Sequence, residues 1–309
     1  MMDWTDRHCR YFLRLLSPVP RLYTEMITTG ALLHGDVARH LDFDEAEHPV
    51  AVQLGGSEPG ELARCARMAE KRGYDEVNLN VGCPSERVQK GAFGACLMAE
   101  PGLIADCVKA MRDAVRIPVT VKHRIGIGRV ESYDFMRDFV ARVAEAGCDT
   151  FIVHARNAIL QGLSPKENRE VPPLRHDLVH RLKREFPSLR IVINGGLATR
   201  EAIEAQYAHV DGVMIGRAAY HDPWILAEPG LTRPGVVHAM AAYATREVAR
   251  GTALRHVTRH MLGLYLGRPG ARRWRTLLSD ASRLSHNDPG LLATALEAVE
   301  SRATQEIPA

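Results

Sequence analysis

Residues 190–217 read RIVINGGLATREAIEAQYAHVDGVMIGR, and their pattern identifies the fold class. Two short apolar runs, Arg190–Asn194 and Gly212–Ile215, flank an amphipathic segment at Thr199–Ala208. Strand, helix and strand in this order form a parallel βαβ unit, because a helical crossover lets the second strand run in the same direction as the first. The pattern therefore predicts an α/β protein with a parallel sheet.

The same alternation continues on the amino-terminal side of this unit. Further strands are predicted at Leu22–Glu25, Val50–Leu54, Glu76–Val81, Pro118–Lys122 and Thr150–His154. Helices are predicted around them at Asp6–Leu16, Pro59–Arg72, Pro101–Val115, Ser132–Ala146 and Asp177–Phe186. Seven strands in this order favour a TIM-type (β/α)8 barrel over an open doubly wound sheet, and they leave one of the eight strands unaccounted for. We therefore expect a barrel domain over residues 1–229.

Beyond Pro229 the strand signal stops, and helical periodicity replaces it. Four helices are predicted at Val236–Arg250, Arg255–Leu266, Arg272–Leu284 and Leu291–Arg302, which describes a small helical bundle over residues 230–309. This part carries 11 arginines, no lysine and six acidic residues, a net charge of +5. Such a charge fits either an ordinary solvated surface or a surface that binds a polyanion through arginine.

The composition excludes several classes of protein. Of the 309 residues, 46% are hydrophobic and 25% are charged, which is typical of a globular chain and not of a disordered one. No apolar run approaches the roughly 20 residues that cross a membrane. The charged start MMDWTDRHCR is not a secretory signal. Six cysteines without a CxxC pair indicate reduced thiols in a cytoplasm rather than a disulfide framework.

Two glycine turns lie where predicted strands end. Asn194, Gly195 and Gly196 follow one strand, and Gly216 and Arg217 follow the next. Glycine lets the backbone approach a ligand closely, amides at a helix start attract anions, and arginine adds charge-assisted hydrogen bonds. The pattern favours a phosphate site at the mouth of the barrel over two ordinary turns.

A cysteine and several polar side chains also lie at strand ends. Cys83 belongs to the stretch NLNVGCP (residues 78–84), whose composition indicates a shaped loop rather than a core position. Gln53, Lys122 and His154 each lie at or near the end of a predicted strand. Together they predict a ring of hydrogen-bond donors and positive charge, which suits a cofactor whose ring system becomes an anion on reduction.

These patterns occur together in one known family. The chain resembles the tRNA-dihydrouridine synthases, most closely the A-type subfamily. The resemblance rests on YTEMITTGALLHG (23–35), PVAVQLGG (49–56), EVNLNVGCPSERVQKGAFGACLM (76–98), VTVKHRIGIG (119–128), FIVHARNAILQGLSPKENREVPPLR (151–175), INGG (193–196) and VMIGRAAYHDPW (213–224). It covers nearly the whole chain, and the Asn-x-Gly-Cys-Pro loop is typical of the family.

The resemblance implies an FMN-containing barrel followed by a helical domain that binds tRNA. The implied reaction reduces the C5=C6 bond of uridine in the tRNA D-loop, at positions 20 and 20a, with NADPH as the reductant. Cys83 is implied as the proton donor and Asn80 as a contact to the target nucleotide. The resemblance further implies flavin contacts from Gln53, Lys122, His154 and from Met1 and Met2, which stand where the family has the end of a first strand. It implies phosphate contacts from Asn194, Gly195, Gly196, Gly216 and Arg217, and tRNA contacts from Lys166, Arg169, Arg272 and Arg275.

Two other functions stay open at this point. An FMN barrel acting on a free pyrimidine, similar to dihydroorotate dehydrogenase, would not need an arginine-rich helical domain. A non-catalytic tRNA-binding barrel would not need Cys83 and Lys122. We expect no metal, no membrane contact and a monomer, although the sequence does not decide the oligomeric state.

The start of the chain carries a separate expectation. Because the family's first strand has no counterpart here, two strand edges would lie unpaired, and unpaired edges favour aggregation. We therefore expect that translation starts upstream or that the sequence is truncated, and that this 309-residue form is poorly soluble or poor in flavin.

Overall fold

The computed structural model describes residues 1–128 and 132–303 of the chain, which folds as two compact units. The sheet unit comprises Met1, Tyr23–Phe43 and His48–Ile215. The helical unit comprises Met2–Leu22, Asp44–Glu47 and the residues from Gly216 on. The expected domains, 1–229 and 230–309, divide the chain at a different residue. Within the helical unit the backbone N–H of Glu228 donates to the carbonyl of Leu16 at 3.0 Å, which joins the first helix to the segment after residue 215.

The sheet unit is built on a seven-stranded sheet whose strands follow one another in sequence order. The strands are β1 (Leu22–Thr28), β2 (Val50–Gly55), β3 (Glu76–Val81), β4 (Val119–Arg124), β5 (Thr150–His154), β6 (Arg190–Asn194) and β7 (Gly212–Met214). Strands β2 to β7 pair in parallel, each with the next. All seven predicted strands are present, and the TIM-barrel-like class with seven strands is confirmed.

Burial on both faces explains why these strands appear in the sequence as continuous apolar runs. In β2 the side chains of Ala51, Val52 and Leu54 are fully buried although they alternate between the two faces of the sheet. A parallel sheet with helices outside and side chains packed inside requires this pattern. Gln53 interrupts the run as a half-buried polar residue, and such interruptions mark the site described below.

The described residues also form α-helices before, between and after the strands. They are α1 (Arg7–Leu16), α2 (Thr29–His34), α3 (Val37–His40), α4 (Pro59–Arg72), α5 (Glu86–Lys90), α6 (Pro101–Ala114), α7 (Tyr133–Glu145), α8 (His176–Glu185), α9 (Arg200–Glu204), α10 (Arg217–His221), α11 (Arg233–Ala249), α12 (Arg255–Thr258), α13 (Ala271–Leu278), α14 (Ala281–Ser285) and α15 (Leu291–Ala303). Short 3-10 helices cover Glu45–Glu47, Gly94–Ala99, Glu167–Arg169, Ala205–Ala208 and Pro223–Leu226. None of the helices in this part of the chain is both long and apolar enough to cross a membrane.

The predicted helix Arg255–Leu266 is wrong in its extent, because it ends at Thr258. The backbone beyond Thr258 tightens into i to i+3 turns, with the N–H of Met261 donating to the carbonyl of Thr258 at 3.0 Å. Trp274 Nε1 then donates to the carbonyl of Met261 at 2.8 Å, so a side chain occupies an acceptor that a longer α-helix would use. Helical periodicity in the sequence does not reveal that the side chain of Trp274 bonds this carbonyl.

The predicted helix Arg272–Leu284 is also wrong, because it is divided into α13 and α14. Asp280 lies at the break in an extended conformation, and its carboxylate accepts from the backbone N–H of Arg283 at 3.1 Å. The aspartate therefore starts a new helix as its N-cap instead of continuing the old one.

Candidate active site at the carboxyl ends of the strands

Polar side chains lie in register where neighbouring strands of the sheet unit end. Asn80 of β3 pairs with Lys122 of β4, and His154 of β5 pairs with Asn194 of β6. Paired residues of parallel neighbours project on the same side of a sheet, and Gln53 of β2 shares that side through its pairing with the residue two before Asn80. All five side chains are half-buried. The sheet therefore brings together five residues that the sequence predicts for one site.

The side-chain amide of Asn80 connects Gln53 to the loop that follows β3. Its Oδ1 accepts from the backbone N–H groups of Gly82 at 3.1 Å and Cys83 at 3.0 Å. Its Nδ2 donates to Gln53 Oε1 at 2.8 Å. An asparagine that bonds the backbone two and three residues ahead shapes a tight turn, so Asn80 sets the path of the cysteine loop.

Cys83 lies half-buried in this loop, with its Sγ 3.5 Å from Ser85 Oγ. The carbonyl of Cys83 accepts from the backbone N–H of Ala95 at 2.9 Å. Gly94 has a φ of +80°, and a Cβ there would lie 2.6 Å from the carbonyl oxygen of Cys83. Position 94 therefore requires glycine, and the close approach of residues 94–95 holds the cysteine backbone from its second side.

The other cysteines differ from Cys83 in their surroundings. Burial raises the pKa of Cys65 to about 11 and raises the pKa of Cys9, Cys107 and Cys148 to about 12. Burial also raises the pKa of Cys96, whose Sγ lies 3.2 Å from the carbonyl oxygen of Phe93. These thiols are therefore held protonated within the protein, which fits structural positions.

Lys122 is a half-buried lysine near the end of β4. Its Nζ donates to Asn194 Oδ1 at 3.2 Å, and Asn194 Nδ2 donates in turn to the carbonyl of Met214 at 2.8 Å. Burial lowers the pKa of Lys122 to about 8, and the positive charge of Arg124 acts in the same direction. A negative charge bound beside Lys122 would offset this penalty, so the position favours an anionic ligand.

The predicted glycine turn after β6 has the conformation that only glycine adopts readily. Gly195 and Gly196 have φ values of +117° and +72°. A Cβ on Gly195 would lie 2.8 Å from His154 Cδ2, and a Cβ on Gly196 would lie 2.3 Å from Leu174 Cδ1. His176 Nε2 lies 2.8 Å from the carbonyl oxygen of Gly195 and fixes the turn. The turn therefore brings bare backbone next to His154.

Arg124 also belongs to the site, as its position two residues after Lys122 on the same side of β4 predicts, although the sequence assigned it no ligand role. It is 3% exposed, and its guanidinium donates to the carbonyls of Gly82 at 3.0 Å, Asn157 at 3.0 Å and Asn168 at 2.9 Å. Burial lowers the pKa of Arg124 to about 10. The side chain therefore ties the cysteine loop to the long loop after β5. The sequence indicates the place of Arg124 but not these three carbonyl partners.

The long loop 155–175 is ordered around one buried asparagine. Asn168 is fully buried, and its amide pairs with Ile159, accepting from the N–H at 2.7 Å and donating to the carbonyl at 2.9 Å. Lys166 and Arg169, which flank it, are exposed. The loop thus presents these two predicted tRNA contacts to solvent on a fixed backbone. Asn168 lacks a periodic signal in the sequence, because its partners are the carbonyls and amide of its own loop.

Four further predicted flavin contacts are divided between the two units. Gly216 and Arg217 belong to the helical unit, where Gly216 directly precedes α10 and both residues are half-buried. Met1 belongs to the sheet unit and Met2 to the helical unit, and they are 37% and 56% exposed.

Arg272 and Arg275 lie on one face of α13 in the helical unit. Both are exposed, and their spacing of three residues places them side by side. Trp274, on the opposite face, is fully buried and anchors the helix through its bond to the carbonyl of Met261. The helix therefore presents the two arginines to solvent from a firmly packed base.

The donor set of the sheet unit fits a planar heterocycle that carries carbonyl groups and gains negative charge. Gln53, Asn80 and Asn194 offer amide groups, His154 offers an imidazole, and Lys122 offers a cation that burial destabilises. Such groups bind carbonyl oxygens and ring nitrogens by hydrogen bonds and stabilise an anion by charge. The glycine turn next to His154 adds backbone amides that a phosphate group can reach.

Comparison with known proteins points to one family. Residues 1–303 match the sequence model described as dihydrouridine synthase. A tRNA-dihydrouridine(20/20a) synthase of Pseudomonas syringae pv. tomato is 58% identical over 310 residues, covering 97% of this chain and 92% of that protein. Proteins of the same name from Pseudomonas aeruginosa and Escherichia coli are 61% and 56% identical, covering 90% and 98% of this chain and 87% and 90% of those proteins.

A solved structure supports the fold separately. A 2-naphthoyl-CoA reductase in complex with 2-naphthoyl-CoA superposes with a TM-score of 0.53 at 11% sequence identity. The match covers 71% of this chain and 46% of that one, so this chain spans less than half the length of the reductase. At this identity the likeness concerns the fold alone.

Proposed function

Because this chain belongs to the dihydrouridine synthase family, we propose that it reduces uridine at positions 20 and 20a of the tRNA D-loop, with FMN as its cofactor and NADPH as its reductant. The observation that carries the proposal is the shared face of Gln53, Asn80, Lys122, His154 and Asn194 beside the loop of Cys83. A tRNA-modifying oxidoreductase needs both a flavin site and a proton donor within one pocket, and this arrangement supports both.

FMN fits the residues of this face. Gln53, Lys122 and His154 would hold the ring system, and the positive charge of Lys122 would stabilise the negative charge that the ring gains on reduction. Asn194, Gly195 and Gly196 would hold the phosphate through backbone amides. The resemblance also predicts four other flavin contacts, and these stay predictions: Gly216, Arg217, Met1 and Met2. When bound, FMN supplies the hydride that C6 of uracil accepts, after NADPH has reduced it.

The residues of the chain supply the rest of the reaction. The target uridine must leave its stack to reach the pocket, and Asn80, which lines it, would contact the displaced base. Hydride addition at C6 leaves an enolate that needs a proton at C5. Cys83, held by Asn80 on one side and by residue 95 on the other, would donate that proton as a neutral thiol.

Exposed cations would hold the tRNA. Lys166 and Arg169 lie exposed on the long loop, and Arg272 and Arg275 lie exposed on α13. Arginine and lysine bind phosphate through charge-assisted hydrogen bonds, so each side chain suits one backbone phosphate. A cytoplasmic location is part of the proposal, and the six free thiols support it.

Replacement of Cys83 by alanine tests the proposed chemistry. We expect Cys83→Ala to reduce its flavin with NADPH at nearly the wild-type rate and to form almost no dihydrouridine, because the thiol acts only in the second half-reaction. The matched control is Cys96→Ala, which removes the other half-buried thiol, in the 3-10 helix Gly94–Ala99. Stopped-flow absorbance measures the first half-reaction, and mass spectrometry of tRNA fragments measures the second. Loss of flavin reduction, or dihydrouridine formed at the full rate, would contradict the role of Cys83.

A further inference from the structure

A chain of hydrogen bonds crosses the interior of the sheet unit from Glu76 to the cysteine loop. At one end, Glu76 Oε1 accepts from Thr120 Oγ1 at 2.6 Å and from the hydroxyl of Tyr23 at 2.9 Å. Asn78 Nδ2 donates to Thr120 Oγ1 at 2.8 Å, and Gln53 Nε2 donates to Asn78 Oδ1 at 2.8 Å. Beyond Gln53, the bonds described above lead through Asn80 to the backbone N–H of Cys83.

The cysteine loop fixes the direction of every bond in this chain. Backbone N–H groups can only donate, so Asn80 must turn its Oδ1 toward Gly82 and Cys83. Its Nδ2 then faces Gln53, which must present Oε1 to it and Nε2 to Asn78. Asn78 in turn must present Oδ1 to Gln53 and Nδ2 to Thr120. Each amide orientation therefore follows from the one before it.

The opposite end of the chain requires the same direction. Thr120 has a single hydroxyl proton, and it donates that proton to Glu76. The oxygen of Thr120 is then left to accept, which again requires the Nδ2 of Asn78 to face it. Because both ends agree, Asn78 cannot turn over without leaving a donor facing a donor and an acceptor facing an acceptor.

Burial makes such a reversal costly. Asn78 is 0% exposed, and Thr120 and Glu76 are each 1% exposed, so bulk water does not reach them to replace a lost partner. A buried polar group without a partner is strongly unfavourable. The amides of Gln53 and Asn80 are half-buried at the mouth of the site. These two amides therefore depend on the buried part of the chain for their orientation.

We propose that Asn78 is a positioning residue that, together with Thr120, orients the amides of Gln53 and Asn80 and thereby holds Cys83 in place. This inference rests on the proposed role of Cys83 as proton donor. Asn78 does not line the mouth of the site, and its effect passes through two side chains that do. Neither the burial of Asn78 nor its amide group would by itself identify it as a residue that supports the reaction.

The test combines thiol reactivity with single-turnover kinetics on the flavin-containing enzyme. Thr120→Val removes one hydroxyl from the chain at nearly constant volume, Thr120→Ser restores it, and Asn78→Leu removes both bonds of the amide. Thr150→Val is the matched control, because Thr150 starts the neighbouring strand and bonds Asp149 outside the chain. Iodoacetamide labels the thiols. Mass spectrometry then distinguishes Cys83 from Cys96, because trypsin cleaves between them.

We expect iodoacetamide to label Cys83 about fivefold faster in Asn78→Leu than in wild type. The loss of one hydrogen bond favours opening of the loop by about this factor. Dihydrouridine formation in a single turnover should fall roughly tenfold, with an unchanged KM for tRNA. In Thr120→Val, Cys83 should also be labelled faster and dihydrouridine formed more slowly than in wild type, both by smaller factors than in Asn78→Leu. The rates of Thr120→Ser, the rates of Thr150→Val and the labelling of Cys96 should stay at wild-type values.

Two outcomes would overturn the proposal. Wild-type labelling of Cys83 in folded Asn78→Leu and Thr120→Val would overturn it, whatever happens to the activity. The same holds if Thr120→Ser fails to restore both rates. If Asn78→Leu does not fold, the comparison of Thr120→Val with Thr120→Ser is sufficient by itself. If wild-type enzyme makes no dihydrouridine, the proposed function fails, whereas the labelling rates still test the positioning role.

Discussion

Lys122 shows at the scale of one residue how a site can oppose folding. Its pKa in the folded chain is about 8, compared with the ordinary value of 10.5, because burial penalises the charged form. Below pH 8 the lysine is charged in both states, and the folded state bears the full penalty. Between pH 8 and 10.5 the unfolded chain binds more protons, so stability rises with pH, and above 10.5 the penalty is absent.

We therefore predict that Lys122→Met stabilises the flavin-free protein at neutral pH by about 1–3 kcal/mol, since the shift of the pKa corresponds to a penalty of this order. The gain should shrink between pH 8 and 10.5 and disappear at higher pH. Urea unfolding of both proteins at pH 6.5, 8, 9.5 and 11 measures the difference. The variant should retain flavin less well than wild type. A stability difference that is the same at every pH would show that the penalty does not come from the charge of Lys122.

The long loop is the element whose order depends most on a single side chain. Asn168 holds four groups of its own loop, adding the carbonyls of Leu163 at 3.2 Å and Ser164 at 3.3 Å to the two groups of Ile159. The guanidinium of Arg124, which lies outside the loop, donates a hydrogen bond to the carbonyl of Asn168. The exposed cations at 166 and 169 therefore keep their positions through a buried neighbour.

We predict that Asn168→Ala loosens this loop while the flavin content stays unchanged. Loss of the buried amide leaves several backbone groups without partners, which costs about 1–3 kcal/mol locally. Trypsin should then cleave after Lys166 and Arg169 several times faster, and the KM for tRNA should rise. Gln161→Ala, an exposed change in the same loop, is the control and should behave as wild type. Unchanged cleavage in Asn168→Ala would mean that Arg124 alone orders the loop.

The elements also show which parts of the fold the sequence could predict. The seven strands were predictable from short β-rich runs. In β2 and β4 these runs reflect burial on both faces, and Gln53 and Lys122 interrupt them visibly. The extents of the helices near Thr258 and Asp280 were not predictable, because side-chain bonds from Trp274 and a new N-cap end them. Propensity and periodicity do not report such distant partners.

The candidate site shows the same division between local and distant signals. Cys83, Asn80 and the glycine turn carry local signals of loop shape, and they were predicted residue by residue. Arg124 bonds carbonyls that are 33 to 44 residues away in the sequence. Asn168 bonds backbone groups of its own loop, which has no periodic pattern, so the structure was needed to identify the partners of both residues. Their contribution depends on tertiary geometry, which a single sequence does not contain.

At the scale of the whole molecule, charge separates two parts of the sequence. Residues 230–309 carry a net charge of +5, whereas residues 1–229 carry 29 basic and 31 acidic residues. On α7 the arginines have acidic partners, with Arg137 2.8 Å from Asp134 and Arg142 3.0 Å from Glu145. Arg272 and Arg275 lie in a stretch, residues 255–275, that holds six arginines and no acid. The excess of positive charge in this stretch favours a polyanion as its partner.

We predict that replacing Arg272 and Arg275 together by alanine weakens tRNA binding and flattens its dependence on salt. Each lost phosphate contact should lower the slope of log affinity against log salt by about 0.7–0.9, because fewer counterions are released on binding. The double variant Arg137→Ala and Arg142→Ala removes the same number of arginines from acid-paired positions and should leave the slope unchanged. Filter binding between 50 and 300 mM salt measures both slopes, and absorbance confirms that the flavin content is the same. If both double variants lower the slope equally, the binding reflects net charge alone, and α13 has no specific part in holding the tRNA.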